Sequence, residues 1–205
     1  MSGTGKSYWA RKLATAGFRA ISIDDRIEER LAPELAAGGY RGTRGVATWM
    51  GWPDQPGYCD RAQQYLAAEM VSMREALDEM DRSASEGFVL DTTGSIVYTG
   101  DEICRRLKRL TTVVYLEAPE QEEGTLIARY LSDPKPVLWG EQYSKHPGES
   151  AQDAVARCYH ALMAHRRKLY ERYAERTVSL AHLRDTARDP RAFLELVEAQ
   201  VRHAQ

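Results

Sequence analysis

The sequence predicts a three-layer α/β/α domain built on a parallel sheet, and three observations carry that expectation. Short, nearly uninterrupted apolar runs recur at 19–23, 87–91, 111–117 and 177–182. Segments with apolar residues at helical spacing separate them, which leaves room for the helical crossovers that parallel strands require. The chain also opens on Gly3-Thr4-Gly5-Lys6-Ser7, a glycine-rich turn feeding directly into an amphipathic segment.

Taken in order, "GKSYWARKLATAG" places Trp9, Leu13 and Ala16 on one helical face and stops at Gly17. "FRAISID" follows as a strand, with Asp24 at its end, where it also fits the cap of the next helix, "DDRIEERLAPELAA". Residues 38–57 are rich in Gly, Pro and Trp and read as a structured loop. A long helix is expected from about Tyr58 to Arg82, with Leu66, Met70, Met73 and Leu77 at helical spacing. "GFVLD" is a compact strand ending in an acid, followed by the turn "TTGS". A helix from about Asp101 to Leu110 leads to the strand "TTVVYLEA", and Pro119 opens a helix to about Leu131. "SDPKPVLWGEQYSKHPGES" reads as a polar loop, Ser150 to Glu175 as a long helix, "TVSLAHL" as a last strand, and Pro190 as the start of a terminal helix. No repeat, low-complexity tract or linker interrupts the pattern. The expectation is a single domain over 1–205, with a lid segment at about 129–149.

Bulk properties narrow the function classes. A chain of 205 residues, 43% of them apolar, suits one domain with a sizeable core. A formal net charge of −2 gives no overall basic field for nucleic acid or an anionic membrane, so neither is expected as a partner. Cys59, Cys104 and Cys158 are odd in number and widely spaced, which fits reduced thiols in an intracellular compartment better than a disulfide framework. No apolar run approaches the roughly 20 residues of a membrane span. The expectation is a cytoplasmic monomer or weak dimer, or an organellar protein if a transit peptide lies upstream.

Gly3-Thr4-Gly5-Lys6-Ser7 matches the second half of a phosphate-binding loop, G-x-x-x-x-G-K-[ST]. Backbone N–H groups of such a turn form an anion nest, the lysine bridges the outer phosphates, and the serine hydroxyl holds Mg²⁺. Counting back five residues from Gly5 lands ahead of Met1, and the apolar strand that should precede the loop is absent. The alternative is a bare N-terminal loop. Cys158 and His165 share a helical face, but no second pair completes a metal site.

From Ser22 onward the sequence resembles shikimate kinase, a small P-loop enzyme of the nucleoside-monophosphate-kinase type. "SIDDRIEERL" is similar to the family's D-x-D-x-x-I-E segment, "TTVVYLEA" to the strand that follows its three-glycine turn, and "ARYLSDPKPVL" to its lid. "YHALMAHRRKLYERYAERTV" is similar to its helix-to-last-strand passage. The resemblance implies transfer of the γ-phosphoryl group of ATP, with Mg²⁺, to a hydroxyl of a small acid. Gly3, Thr4, Gly5, Lys6, Ser7 and Tyr8 would then hold the nucleotide, with Arg129 beside it and Ser7 on the metal. Asp24 falls on the aspartate that contacts the accepting hydroxyl, and Ser22 stands where the family has a Mg²⁺-associated aspartate. Gly94 keeps one of the three glycines, Thr92 and Thr93 replacing the others. Lys135 stands for the lid arginine, Arg166 for the arginine that clamps the substrate carboxylate, and Arg61 for the arginine of an F-R-x-x-E segment. In this family the first strand is central, so the resemblance also implies a chain truncated at an internal methionine, its missing strand lying between 87–91 and 111–117.

Each residue has a plainer reading beside the functional one. Asp91 could hold a Mg²⁺-bound water or tie the Thr92–Ser95 turn. Lys135, Arg166 and Arg167 could be solvated charges, and Trp49, Trp52 and Trp139 could line an acceptor pocket or pack beneath loops. Two further functions stay open: a P-loop kinase for a sugar or nucleoside, and a nucleotide-binding module without catalysis, towards which Ser22, Lys135 and the replaced glycines lean.

Overall fold

Among the described residues both strand pairings are parallel. In the computed structural model, which describes residues 3–83 and 86–199, β1 (Arg19–Ser22) lies beside β2 (Phe88–Asp91), with Ile21 opposite Leu90 and Ser22 opposite Asp91. β3 (Val114–Glu117) lies beside β4 (Arg176–Ser179), with Leu116 opposite Val178. The strands fall where the apolar runs place them, each somewhat shorter, and they form two two-stranded sheets. Helices separate the strands in sequence throughout, as the α/β pattern requires.

α1 (Lys6–Thr15) buries Trp9, Ala10 and Leu13 and turns off at Gly17, whose φ of 97° is the left-handed stop expected there. α2 (Ile23–Arg30) and the short α3 (Ala32–Ala36) divide what reads in sequence as one helix. α4 (Gly42–Met50) corrects the reading of 38–57 as a loop. Its start lacks a side-chain cap from its own N-cap residue, but Glu28 of α2 accepts the Gly42 N–H at 2.5 Å. Val46, Ala47 and Met50 then supply a buried face. A cap brought from another helix satisfies the orphan donor that local sequence leaves open.

α5 (Tyr58–Arg82) is the longest helix and buries Met73, Ala76 and Leu77 completely. α6 (Asp101–Leu110), α7 (Glu123–Ser132), α8 (Ala151–Tyr173) and α10 (Pro190–Ala199) match their expected places. The run "TVSLAHL" is split. The strand ends at Ser179 and α9 (Leu180–Thr186) takes over, with Leu180 and Leu183 one turn apart and buried.

The segment after α7 is less polar in place than in sequence. Val137, Leu138 and Trp139 are buried, and Tyr58 Oη donates to the Val137 carbonyl at 2.9 Å while accepting the Trp139 N–H at 3.3 Å. Trp139 sits edge-on among Tyr130, Tyr143 and Tyr159. Lys145 pairs with Asp54 at 2.9 Å further along. The centre of the expected lid is therefore core, held from α5.

Candidate functional site

The site forms where α1, α2 and β2 meet. Gly3 and Gly5 take φ values of 80° and 87°, the left-handed region that a phosphate-type turn needs and that side chains resist. At Gly3 an added Cβ would also come within 3.3 Å of Leu126 on α7. Thr4 is buried between the two glycines, and Lys6 opens α1. α7 delivers Arg129 to this turn, where Nη1 donates to the Gly3 carbonyl at 3.2 Å. Ser7 and Tyr8 lie on the exposed side of the first turn.

Lys6 is half-exposed in overall area, yet burial of its ammonium lowers its pKa, and Asp91 and then Asp24 act against that lowering. The structure thus brings Lys6, Asp24 and Asp91 into one electrostatic cluster. Pairing of β1 with β2 accounts for this, because it sets Ser22 opposite Asp91 with Asp24 in the first turn of α2.

Asp24 is not the cap of α2. That role falls to Ser22, whose Oγ accepts the Asp25 N–H at 3.2 Å. The Asp24 carboxyl is left to face the cluster. Burial raises its pKa, Lys6 lowers it, Asp91 and Asp25 raise it further, and Lys135 lowers it. Lys135 therefore reaches the site from the segment after α7, although it also pairs with Asp133 at 2.9 Å.

Asp91 is buried and does not tie the turn that follows it. Its Oδ1 has no hydrogen-bond partner among the described residues. Glu69 of α5 holds the turn instead. Its carboxylate accepts from the Thr93 hydroxyl and, at 2.5 Å, from the Ser95 hydroxyl, while Thr93 Oγ1 accepts the Ser95 N–H at 3.0 Å. Glu69 is fully buried, and desolvation raises its pKa to about 7 against the lowering effect of both hydroxyls. The carbonyl of Gly94, in the same turn, accepts from Tyr170 Oη.

Sequence reasoning missed Glu69, because an acid within a long helix reads as solvated. A signal existed in the F-R-x-x-E pattern, since Tyr65-Leu66-Ala67-Ala68-Glu69 has its spacing with leucine in the arginine position. Arg61 is not that arginine. Its guanidinium donates to the Met50 carbonyl at 3.1 Å and the Pro56 carbonyl at 3.0 Å, clamping the loop ahead of α5, so the structure does not bring it into the cluster.

Arg166 is buried rather than solvated. It donates from Nη2 to the Leu138 carbonyl at 2.9 Å and from Nε to Tyr98 Oη at 3.4 Å, with its guanidinium 5.2 Å from the Tyr98 ring centre. It acts electrostatically on both Lys6 and Glu69, which places it on the α8 side of the same cluster. Of the tryptophans, Trp139 is core, whereas Trp52 lines a cavity of about 180 Å³ together with Met50, Gln55, Tyr130 and Lys135. Among the described residues no group of three His, Cys, Asp or Glu side chains could hold a metal ion by itself.

No family model matches the chain. No curated protein matches it either. Among solved structures it is similar to a shikimate kinase from Bacteroides thetaiotaomicron, at 17% identity and a TM-score of 0.53, over 100% of this chain and 92% of that one. Parallel pairing, a glycine turn opening α1, and this likeness over the full length give the chain the fold of a shikimate-kinase-like P-loop kinase.

Proposed function

We propose that the chain is an ATP-dependent kinase transferring the γ-phosphoryl group to a hydroxyl of a small, shikimate-like acid. The observation that carries this reading is Asp24. It is a partly buried carboxyl whose pKa burial raises and on which Lys6 and Lys135 both act to lower it, and Ser22 leaves it free of the capping role. The acceptor oxygen forms its bond to the γ-phosphorus as the bond to the ADP oxygen breaks, and Asp24 orients the hydroxyl and takes its proton. Lys6 and the amides of the glycine turn balance charge on the phosphates, with Arg129 beside the turn. Lys135 faces the transferring group. Arg166 supports an acceptor that bears a carboxylate.

The residues present fit a magnesium ion of the kind that arrives with nucleotide. Such an ion keeps several waters and takes one or two protein oxygens besides phosphate. Ser7 offers a hydroxyl, and the orphaned Oδ1 of Asp91 offers an acceptor for a metal-bound water. When bound, the ion supplies charge neutralisation between the phosphates. A cytoplasmic location accords with the free thiols.

A second reading is a nucleotide-binding module without turnover. It is favoured by the Thr93 side chain, tied to Glu69 where the family has glycine, and by the engagement of Arg166 with Leu138. A mass-spectrometric screen of hydroxy acids, sugars and nucleosides for ATP-dependent gain of phosphate separates the two. On any acceptor found, Asp24→Asn should lower kcat about 10²–10⁴-fold with ATP affinity unchanged. Arg166→Lys, which keeps the charge but loses the planar fork, should mainly raise KM for an acidic acceptor. Nucleotide binding with no acceptor phosphorylated sinks the kinase reading.

A further inference from the structure

The loop 51–57, between α4 and α5, is tied down along its length. Trp52 and Gln55 hold each other, the Trp52 N–H donating to Gln55 Oε1 and the Gln55 N–H to the Trp52 carbonyl, both at 2.9 Å. Arg61 grips both ends through the Met50 and Pro56 carbonyls, at 3.1 and 3.0 Å. Lys145 pairs with Asp54 at 2.9 Å and joins the loop to the segment after α7. Yet the ring that this scaffold carries, Trp52, is only half-buried, and it lines the cavity of about 180 Å³ beside Lys135.

Trp52, Tyr130, Met50 and Ala47 give that cavity apolar walls, and Thr48 and Lys135 add a hydroxyl and an ammonium. The Trp52 and Tyr130 rings meet edge to face, 5.9 Å apart at 81°. Tyr130 is held in turn by Tyr159, stacked at 4.9 Å, and by Trp139 at 6.1 Å. A flat ring laid against either wall turns its edge to the other, the arrangement that aromatic groups favour. An apolar cavity of about 150 Å³ is enough to hold benzene. Lys135 belongs both to this cavity and to the surroundings of Asp24, on which its charge acts.

We propose that this cavity takes an aromatic ring carried by the acceptor, which makes the acceptor an aryl-substituted hydroxy acid and Trp52 and Tyr130 its specificity-determining residues. The ring lies between Trp52 and Tyr130, and the hydroxyl reaches past Lys135 to Asp24. The walls stand before the ring arrives, so little ordering opposes binding. That the ring belongs to an acceptor rests on the kinase reading; that the cavity selects a ring does not.

Calorimetric titration without nucleotide tests the selection. Mandelate joins a phenyl ring to a hydroxy acid, lactate has methyl in place of the ring, and hexahydromandelate has a cyclohexyl group there. The parent should bind mandelate at least about tenfold more tightly than lactate, with hexahydromandelate weaker than mandelate. Trp52→Ala should bring mandelate down to the lactate level and leave lactate where it was. Thr48→Phe, at an exposed position on the cavity, fills it with a ring of the protein's own and should do the same, which decides the matter if Trp52→Ala unfolds. Equal affinity for mandelate and lactate, or for mandelate and hexahydromandelate, overturns the proposal. A ring preference that survives both substitutions puts the ring elsewhere and also overturns it. MgATP is then added to each acid. Phosphate gained without any ring preference ends this inference and leaves the kinase reading standing. Ring preference with no acid phosphorylated keeps the ring pocket, and sinks the kinase reading together with the ring's place on an acceptor.

Discussion

Replacing Glu69 by glutamine should remove one distinct part of the pH dependence of the parent protein's stability. In the folded chain the Glu69 carboxyl has its pKa raised to about 7 by burial, against an ordinary 4.5. Between those two values the folded state holds a proton that the unfolded chain has released. The folded state is therefore favoured on the acid side, and its advantage declines as pH rises from about 4.5 to about 7, then stays level. At about 1.4 kcal/mol per pKa unit, the decline is on the order of 3 kcal/mol. Glutamine keeps an oxygen for the Thr93 hydroxyl and offers its amide to Ser95 Oγ, so the turn retains partners without a titrating group. Urea unfolding of parent and E69Q at half-unit steps from pH 4.5 to pH 8 checks this. Other groups, Asp24 among them, titrate in both proteins, so the difference between the two curves is what counts. That difference should shift by about 3 kcal/mol in favour of E69Q towards high pH, which is roughly 1–3 M urea in midpoint. Parallel curves would refute the argument, because the carboxyl would then be titrating as if solvated.

Three other changes test neighbouring parts of the argument. Tyr58→Phe leaves the Val137 carbonyl and the Trp139 N–H without their shared partner and should cost about 1–3 kcal/mol in urea unfolding, with faster proteolysis around Trp139. Limited proteolysis of the parent should spare the buried Val137–Trp139 stretch and cut near Lys145 or within 132–135, with MgATP suppressing the cuts under the kinase reading. Gly5→Ala meets no crowding, since its nearest neighbour, Trp9 Cδ1, is 4.0 Å from the added Cβ; the loss should be only the roughly 1–2 kcal/mol of a left-handed backbone, read by thermal melting. Asp91→Asn should weaken magnesium-dependent nucleotide binding about 10–100-fold by calorimetry, leaving metal-free binding unaltered.

What the sequence revealed follows a physical line between local and borrowed order. Strands and long helices were legible because periodicity alone encodes a buried face, as in Met73 and Leu77 on α5. α4 was hidden because its first N–H is satisfied by Glu28, 14 residues earlier on another helix. α9 was hidden because a short apolar run such as "TVSLAHL" fits strand and helix equally until packing decides. In the site, Lys6, Asp24 and Asp91 were legible because a motif or a strand end marks each of them. Glu69 and Arg61 went the other way. The buried acid carries no complete motif in the sequence, and the arginine that looked functional clamps Met50 and Pro56 carbonyls. Both depend on which side of α5 meets the turn after β2, a fact that spacing along one helix does not contain.

The same reasoning links the segment after α7 to the chemistry proposed for Asp24. Burial and Asp91 push the Asp24 pKa up, and of the two cations that oppose them only Lys6 belongs to the rigid frame of α1. Lys135 is carried by a segment whose position depends on two anchors, Tyr58 at Val137 and Trp139, and Arg166 at Leu138. Slackening either anchor withdraws a positive charge from Asp24 and leaves its carboxyl more readily protonated, hence a poorer acceptor for a hydroxyl proton at neutral pH. Arg166 then has two consequences at once. Under the kinase reading it would present a cation to an acidic acceptor, and through Leu138 it bears on the position of Lys135 relative to Asp24. If the kinase reading holds, a carboxylate that draws Arg166 away from Leu138 would alter the base before it met the acceptor hydroxyl, and acceptor binding would be coupled to the protonation of Asp24 through a single backbone carbonyl.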